Sequence, residues 1–177
     1  CFSSENSKAA FLKDPKGNIA KAKKFLAEQE AKAASAAVGG VGGSVTASGG
    51  GASMLCIDML MRHGGQPKNY IEYSGNPPAS TVKALTKQVL NKKGIKGCWV
   101  VGGTANFTDI FETMKGLIAG LEAVRPKPRY PIVIRRDGPR QKEAFSMLRE
   151  FATRRKYDIH LFGSDTAMDE TAKVIVK

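Results

Sequence analysis

The sequence predicts an α/β fold, specifically a flavodoxin-like, doubly wound, five-stranded parallel sheet with helices on both faces. Three observations support this prediction. Between residues 44 and 177, short apolar runs alternate with segments of helical periodicity. Gly, Pro or Asn lies between many of these segments and places turns there. With 42% hydrophobic and 25% charged residues, the composition is that of a globular protein with a buried core.

The predicted elements follow one another from residue 44. Apolar runs predict strands over residues 44–48, 70–74, 98–101, 132–134 and 159–162. Helical spacing predicts helices over residues 52–63, 80–90, 108–124, 141–156 and 167–177. Ser80 and Thr108 are expected to cap the second and third helices, and Gly94 to close the second. Because a helix joins each strand to the next, the strands are expected to run parallel.

Residues 1–43 are expected to lie outside this domain, which we place at residues 44–177. Residues 13–18 place Pro and Gly as in a turn. Residues 19–38 have high helix propensity but few large apolar side chains for packing, which predicts a flexible or helical basic, Ala-rich arm. A Gly-rich linker follows. The lysines of the arm either contact an acidic partner or form a solvated face, and such runs are usually solvated.

The charge of the protein is strongly positive. The net charge is +12, and seven Lys/Arg against four Asp/Glu in residues 1–40 leave +9 on residues 41–177. This balance suits polyanions such as nucleotides, phosphorylated cofactors, polycarboxylates or nucleic acid, and it does not choose between them. Nucleic acid is not expected as a partner, because the sequence suggests no aromatic stacking platform. No apolar run approaches the roughly 20 residues of a membrane span, so no membrane partner is expected.

The cysteines and histidines predict no metal centre. The three cysteines lack a CxxC spacing, and two of them, Cys56 and Cys98, lie in apolar surroundings. Buried, reduced thiols favour a reducing compartment, so a cytoplasmic location is expected. His63 and His160 have no Cys, Asp or His at metal-ligand spacing and are interpreted as structural.

Residues 100–109 form the stretch around which the site is predicted. An apolar run ends at Gly102 and Gly103, and a helix is expected to begin at Thr108. Glycines allow close backbone approach, and a helix N-terminus offers N–H groups and partial positive charge. Asn106 adds a neutral hydrogen-bonding group. We interpret the stretch as a carboxylate-binding loop, with an ordinary capped strand-to-helix turn as the alternative.

The other predicted strands end in polar residues and glycines at the same edge of the sheet, where ligands bind in such folds. Arg135 and Arg136 follow the fourth apolar run, and strand alternation sends one of them toward the crevice. A guanidinium offers a planar fork that matches a carboxylate. Together with the loop at Asn106, this arginine predicts a polycarboxylate site. In the alternative, both arginines pair with surface acids such as Asp137.

At these loops, residues 44–177 resemble the CoA-ligase domain of the succinyl-CoA synthetase beta subunit. They are more similar still to its counterpart in ATP-citrate lyase and citryl-CoA synthetase. Four stretches carry the resemblance: Ser48-Gly49-Gly50-Gly51-Ala52-Ser53, Glu72-Tyr73-Ser74-Gly75, Gly102-Gly103-Thr104-Ala105-Asn106-Phe107-Thr108 and Arg135-Arg136-Asp137-Gly138-Pro139. The Ala-Asn-Phe-Thr and Arg-Arg-x-Gly-Pro elements look like the citrate-using branch.

The resemblance implies an ATP-dependent acid–CoA ligase that forms a thioester through phosphohistidine and an acyl phosphate. It implies that the citrate site is lined by Ser74, Gly75, Asn106, Phe107, Thr108 and Arg136. Gly102, Gly103 and Thr104 would lie where phosphohistidine and the acyl phosphate are stabilised. CoA, ATP and Mg²⁺ are expected as co-substrates of the whole enzyme, with none bound to this domain alone.

The resemblance also implies partner domains that this sequence does not contain. A histidine-bearing, CoA-binding alpha-type subunit or half is expected, together with an ATP-grasp domain that nothing in this sequence resembles. We therefore expect this chain alone to be inactive. Neither His63 nor His160 stands in the motif of the phosphorylated histidine, and residues 20–40 have no counterpart in the usual family pattern. A succinate or malate ligase and a non-catalytic binding or assembly module remain as alternatives.

Overall fold

The computed structural model describes the backbone of residues 42–48 and of Gly51, residues 52–73 and 75–177 in full, and Asp14 and Gly17. The chain divides into two units, residues 1–36 and 37–177. In the first, the Gly17 N–H donates to Asp14 Oδ1 over 2.9 Å, within the predicted turn. The predicted arm lies outside the described residues, and the boundary after residue 43 stays a prediction.

Helices and strands alternate along the described part of the second unit. The elements are β1 (Gly42–Ser48), α1 (Gly51–Arg62), β2 (Gln66–Tyr73), α2 (Ala79–Leu90), β3 (Ile95–Thr104), α3 (Ile110–Ala123), β4 (Ile132–Asp137), α4 (Gln141–Arg155), β5 (Ile159–Phe162) and α5 (Met168–Val176). Within these ranges, no helix has the length and apolar character needed to cross a bilayer.

The strands form one sheet in the order β2-β1-β3-β4-β5, and every neighbouring pair is parallel. In a sheet with this order, the strand order reverses between β1 and β3, and the crevice at that point is where ligands bind. The α/β class, with a parallel sheet and packed helices, is confirmed.

Alternating side chains of the central strand β3 build the two halves of the core. Cys98 and Val100 lie on one face, in a cluster with the buried side chains of α2, α3 and α4. Trp99 and Val101 lie on the other face, with the buried side chains of α1 and α5. The Trp99 Nε1–H donates to Thr171 Oγ1 over 3.1 Å, so the one polar group of the indole has a hydrogen-bond partner within this apolar layer.

Several element ends differ from the predicted ones because polar residues extend the strands. β2 begins at Gln66 rather than at residue 70, and buried Asn69 is accommodated because its Nδ2 donates to Val89 O over 2.8 Å. β3 runs from Ile95 to Thr104, well past the predicted residues 98–101. Ser80 is not an N-cap: α2 begins at Ala79, after Pro78, and the cap makes no side-chain hydrogen bond.

Glycines allow α2 and α3 to pack closely. A Cβ at Gly116 would lie 2.5 Å from Ala79 O, and one at Gly120 would lie 2.5 Å from Thr86 Cβ. Both distances are well inside van der Waals contact, so only glycine fits at these positions without movement of α2. This packing holds together the two helices that begin at the predicted site.

Candidate active site

A cleft lies at the carboxyl edge of the sheet, where the start of α1 and the loops after β2 and β3 meet the end of β4. Its cavity volume is about 300 Å³. It is lined by Ala52, Tyr73, Gly75, Gly103, Thr104, Ala105, Asn106, Phe107, Thr108 and Arg136. The cleft is therefore at the β1/β3 switch point, as expected for a parallel sheet of this order.

The two arginines at the end of β4 point to opposite faces of the sheet, as strand alternation predicts. Arg135 is buried, and it donates from Nη1 to Gly102 O over 2.6 Å and from Nε to Thr166 O over 3.1 Å. Arg136 is only 3% exposed, lines the cleft, and has its guanidinium carbon 5.5 Å from the Tyr73 ring centre. Of the two arginines, Arg136 is therefore the one that lines the cleft.

Hydrogen bonds join the loop after β3 to the loop after β2. The Thr108 hydroxyl donates to Gly75 O over 2.6 Å. The Asp109 N–H donates to Asn76 Oδ1 over 2.9 Å. Gly75 has a φ of 71°, a left-handed conformation that favours glycine at the point where this carbonyl turns toward Thr108. These bonds fix the relative positions of two walls of the cleft.

The N-cap of α3 differs from the prediction. Asp109, not Thr108, caps the helix, because its carboxylate Oδ1 accepts from the Glu112 N–H over 3.1 Å while the Thr108 hydroxyl bonds to Gly75. Partial burial raises the pKa of Asp109, but the N–H groups of Glu112 and Phe111 and the Arg140 guanidinium outweigh it and hold this pKa below its usual value.

Two N–H groups of the first turn of α3 have partners within the protein. The Ile110 N–H donates to Pro139 O over 3.0 Å, and the Glu112 N–H donates to Asp109 Oδ1 over 3.1 Å. These two groups are therefore not open to a ligand, and the expectation that this helix terminus holds the ligand stays a prediction. Arg136 and the loop before the helix line the cleft, and their role in anion binding stays a prediction.

Arg140 connects the loop after β4 to the start of α3. Its guanidinium bonds to Asp109 Oδ2 over 2.9 Å and to Glu143 Oε2 over 2.8 Å, and lies 4.3 Å from the Phe111 ring centre. The backbone of Arg140 is left-handed, with φ of 60°. Gly138 has φ of 144°, and a Cβ there would lie 2.9 Å from Ala105 O. This loop therefore packs tightly against the loop after β3.

Most of the predicted site residues lie together in the cleft. Those that line it are Gly75, Gly103, Thr104, Asn106, Phe107, Thr108 and Arg136. Gly102 is not among the lining residues. It is buried, and its carbonyl oxygen accepts a hydrogen bond from Arg135 Nη1. Ser74 lies outside the described residues. Their roles in substrate binding and catalysis stay predictions.

Sequence reasoning assigned no role to three lining residues, Ala52, Tyr73 and Ala105. Tyr73 is the most informative of them, because its hydroxyl oxygen is buried and has no hydrogen-bond partner among the described residues. A signal was present in the sequence, since Tyr73 directly precedes Ser74. The direction of its side chain depends on the register of β2, which only the sheet determines.

Neither the two histidines nor the described cysteines, Cys56 and Cys98, line the cleft. His63 Nε2 is 2.8 Å from Asp169 Oδ1, and His160 Nε2 is 2.9 Å from Asp158 Oδ1. Cys56 and Cys98 are buried free thiols, as predicted, and burial raises the pKa of Cys98 to about 12. In the described part of the chain, no group of three or more His, Cys, Asp or Glu side chains is placed to hold a metal ion.

Comparison with known proteins establishes the family to which this fold and cleft belong. The family described as ATP citrate lyase citrate-binding matches residues 29–177. The chain belongs to this citrate-binding family. The match includes every residue that lines the cleft.

Curated relatives are ATP-citrate synthases. A probable ATP-citrate synthase from Caenorhabditis elegans is 32% identical over 133 residues, which cover 68% of this chain and 12% of the relative. The ATP-citrate synthase alpha chain protein 2 of Arabidopsis thaliana is 30% identical over 141 residues, which cover 73% of this chain and 33% of the relative. The chain thus spans about a third or less of these relatives.

A solved structure agrees with this assignment. The structure of ATP citrate lyase from Methanothrix soehngenii in complex with citrate and coenzyme A matches with a TM-score of 0.69 at 27% identity. The match covers 76% of this chain and 35% of that one. The Methanosaeta concilii enzyme, solved with (3S)-citryl-CoA, gives the same TM-score and identity.

Proposed function

We propose that the cleft binds citrate and that Arg136 is its principal anchor. The observation that carries this proposal is the position of a nearly buried guanidinium in a small cleft at the switch point of the sheet. A guanidinium presents two parallel N–H groups to a carboxylate, and such charge-assisted bonds are stronger where water is excluded. Membership of the citrate-binding family supports citrate as the acid.

The remaining lining groups suit the rest of a hydroxylated tricarboxylate. Thr104 and Asn106 offer a hydroxyl and an amide at the exposed side of the cleft, and the Tyr73 hydroxyl lies at its buried side. Thr108 lines the cleft, and because its hydroxyl proton is donated to Gly75 O, its oxygen can only accept from a ligand. An acceptor at this position suits the hydroxyl group of citrate, which succinate lacks.

We infer that the whole enzyme is an ATP-dependent acid–CoA ligase in which this domain positions the acid. A phosphoryl group passes from a histidine of the partner half to a citrate carboxylate, and the CoA thiolate then attacks the acyl carbon and releases phosphate to give citryl-CoA. CoA, ATP and Mg²⁺ enter as co-substrates, with ATP bound by an ATP-grasp domain.

The contribution of this domain to that reaction is positioning and electrostatic stabilisation. Arg136 holds the acid, and Gly103 and Thr104 line the side of the cleft at which the transferring phosphoryl group would enter. Gly102 does not line the cleft, and its contribution is indirect: its carbonyl oxygen accepts a hydrogen bond from Arg135, which holds the end of β3 against β4. A cytoplasmic location remains a prediction.

The proposal is tested by calorimetric titration of citrate, and separately of succinate, into the 177-residue chain and its variants. Arg136→Ala should weaken citrate binding by about tenfold or more, since a charge-assisted pair contributes about 1.5–3 kcal/mol. Arg154→Ala is the matched control, because Arg154 is exposed on α4 and pairs with Glu150. Citrate should bind more tightly than succinate.

A second variant separates binding from folding, because removal of a buried arginine can unfold the domain. Asn106→Ala changes an exposed cleft residue, and its thermal transition should match that of the unmodified chain while citrate affinity falls. Citrate binding that is insensitive to both Arg136→Ala and Asn106→Ala, in folded variants, would contradict the assignment of this cleft.

A further inference from the structure

A second groove lies at the edge of the sheet opposite to the cleft. Its cavity volume is about 1040 Å³. It is lined by residues 90–95, residues 125–130, Lys156 and Asp158. These segments lead into β3, β4 and β5, so the groove lies at the amino ends of these strands, away from the proposed citrate site.

Positive charge dominates the lining of this groove. Its cationic side chains, all on exposed residues, are Lys92, Lys93, Arg125, Lys127, Arg129 and Lys156. The acidic member of the lining is Asp158, whose carboxylate already lies 2.9 Å from His160 Nε2. Like charges that converge in one concave surface raise the local concentration of anions.

Two of these cations have a structural role that accounts for their position. Lys127 Nζ donates to the carbonyl oxygens of Arg155 and Lys156, the latter over 3.0 Å. These bonds supply partners for carbonyl groups at the C-terminal end of α4. Arg125 Nη1 donates to Glu122 O over 2.6 Å and to Val124 O over 2.8 Å, at the end of α3. Both also offset the negative ends of the helix dipoles.

The other four cations are not explained in this way. Among the described residues, no carboxylate lies within 4.0 Å of the charged groups of Lys92, Lys93, Arg129 or Lys156, and their side chains donate no hydrogen bond within that part of the chain. They come from three segments that are distant in sequence and meet only in the groove. Their mutual repulsion favours an external anion with several charges.

We propose that this groove binds a small ligand that carries several phosphate groups. Its volume of about 1040 Å³ lies slightly above the roughly 300–1,000 Å³ that ligand pockets occupy, which is large enough for a ligand with more than one phosphate. Lysines act as point charges for phosphate oxygens, and Arg129 adds a planar fork. The lining contains one aromatic residue, the half-buried Tyr130, whereas sites for single-stranded nucleic acid stack successive bases on several aromatic side chains.

The test uses inorganic tripolyphosphate as the probe, titrated into the 177-residue chain by calorimetry. The double variant Lys92→Gln/Lys93→Gln and the single variant Arg129→Gln remove charges from the groove. The matched control, Lys83→Gln/Lys142→Gln, removes two charges from exposed positions of α2 and α4 that do not line it.

Loss of two charge-assisted contacts should lower tripolyphosphate affinity by about tenfold or more in Lys92→Gln/Lys93→Gln. Affinity should stay within about twofold in the matched control, and orthophosphate should bind more weakly than tripolyphosphate. Citrate affinity should be unchanged in Lys92→Gln/Lys93→Gln, so failure of this proposal is distinct from failure of the citrate proposal.

Three results would overturn the inference. The first is absence of tripolyphosphate binding at low ionic strength. The second is an equal loss of affinity in the matched control, which would assign the binding to overall charge. The third is a single-stranded oligonucleotide that displaces tripolyphosphate with an affinity that rises with its length, which would identify the surface as one for nucleic acid.

Discussion

The close packing of α2 against α3 makes Gly120→Ala a sharp test of the core. An alanine Cβ at this position would lie 2.5 Å from Thr86 Cβ, 2.6 Å from Thr86 Cγ2 and 3.2 Å from Lys83 O. Thr86 is 5% exposed, and its hydroxyl donates to Val82 O over 2.8 Å. Because the nearest atom is a Cβ, rotation of the Thr86 side chain cannot relieve the overlap. The helices would have to move apart.

Two effects of this substitution oppose each other. Alanine has a higher helix propensity than glycine, which stabilises the folded state by about 1 kcal/mol. Overpacking of a well-packed core typically lowers the free energy of unfolding by about 1–3 kcal/mol. We expect a cost near the upper end of this range, because the clash is with the Cβ of a buried β-branched residue. We therefore expect the free energy of unfolding to fall by about 1–2 kcal/mol, and the melting temperature by about 3–6 °C.

Urea denaturation followed by circular dichroism measures this change. A double-mutant cycle with Thr86→Gly, which removes the opposing Cβ, should show that the two substitutions compensate by about 1 kcal/mol or more. The packing argument would be refuted if Gly120→Ala raised the free energy of unfolding by about 1 kcal/mol, as helix propensity alone predicts.

Three further predictions concern the cap, the loops and the thiols. Asp109→Ala should lower the free energy of unfolding by about 1 kcal/mol through loss of the α3 cap, whereas Asp109→Asn should retain the cap. Because the pKa of Asp109 is lowered in the folded state, its charge stabilises the protein above the unfolded pKa of about 3.9 and this stabilisation is lost as pH falls through the folded pKa. Melting temperatures of the unmodified chain and Asp109→Asn should therefore converge in acid. Thr108→Val should weaken citrate binding by about tenfold, since it removes the bond to Gly75 O, while Thr108→Ser should retain affinity. Cys98, buried and with a pKa of about 12, should be alkylated only when urea unfolds the domain, which peptide mass spectrometry would reveal.

Much of the fold could be predicted because burial leaves a direct signature in the sequence. The run at residues 98–101 is apolar on both sides because β3 is covered on both faces, and only a central parallel strand has this environment. Alternation at Arg135 and Arg136 likewise required that they point to opposite faces. Strand ends were predicted less well, since Asn69 owes its place in β2 to a hydrogen bond with Val89 O on another element.

The α/β class, the carboxyl edge as the place of the cleft, and the basic character of the domain were determined by the sequence alone. They follow from local periodicity, composition and the order of elements. Tertiary structure decided which arginine lines the cleft, why Asp109 rather than Thr108 caps α3, and why Gly102 faces Arg135. It alone brought Lys92, Arg129 and Lys156 into one groove. Each of these depends on contacts between segments distant in sequence, and no local pattern encodes the distance between them.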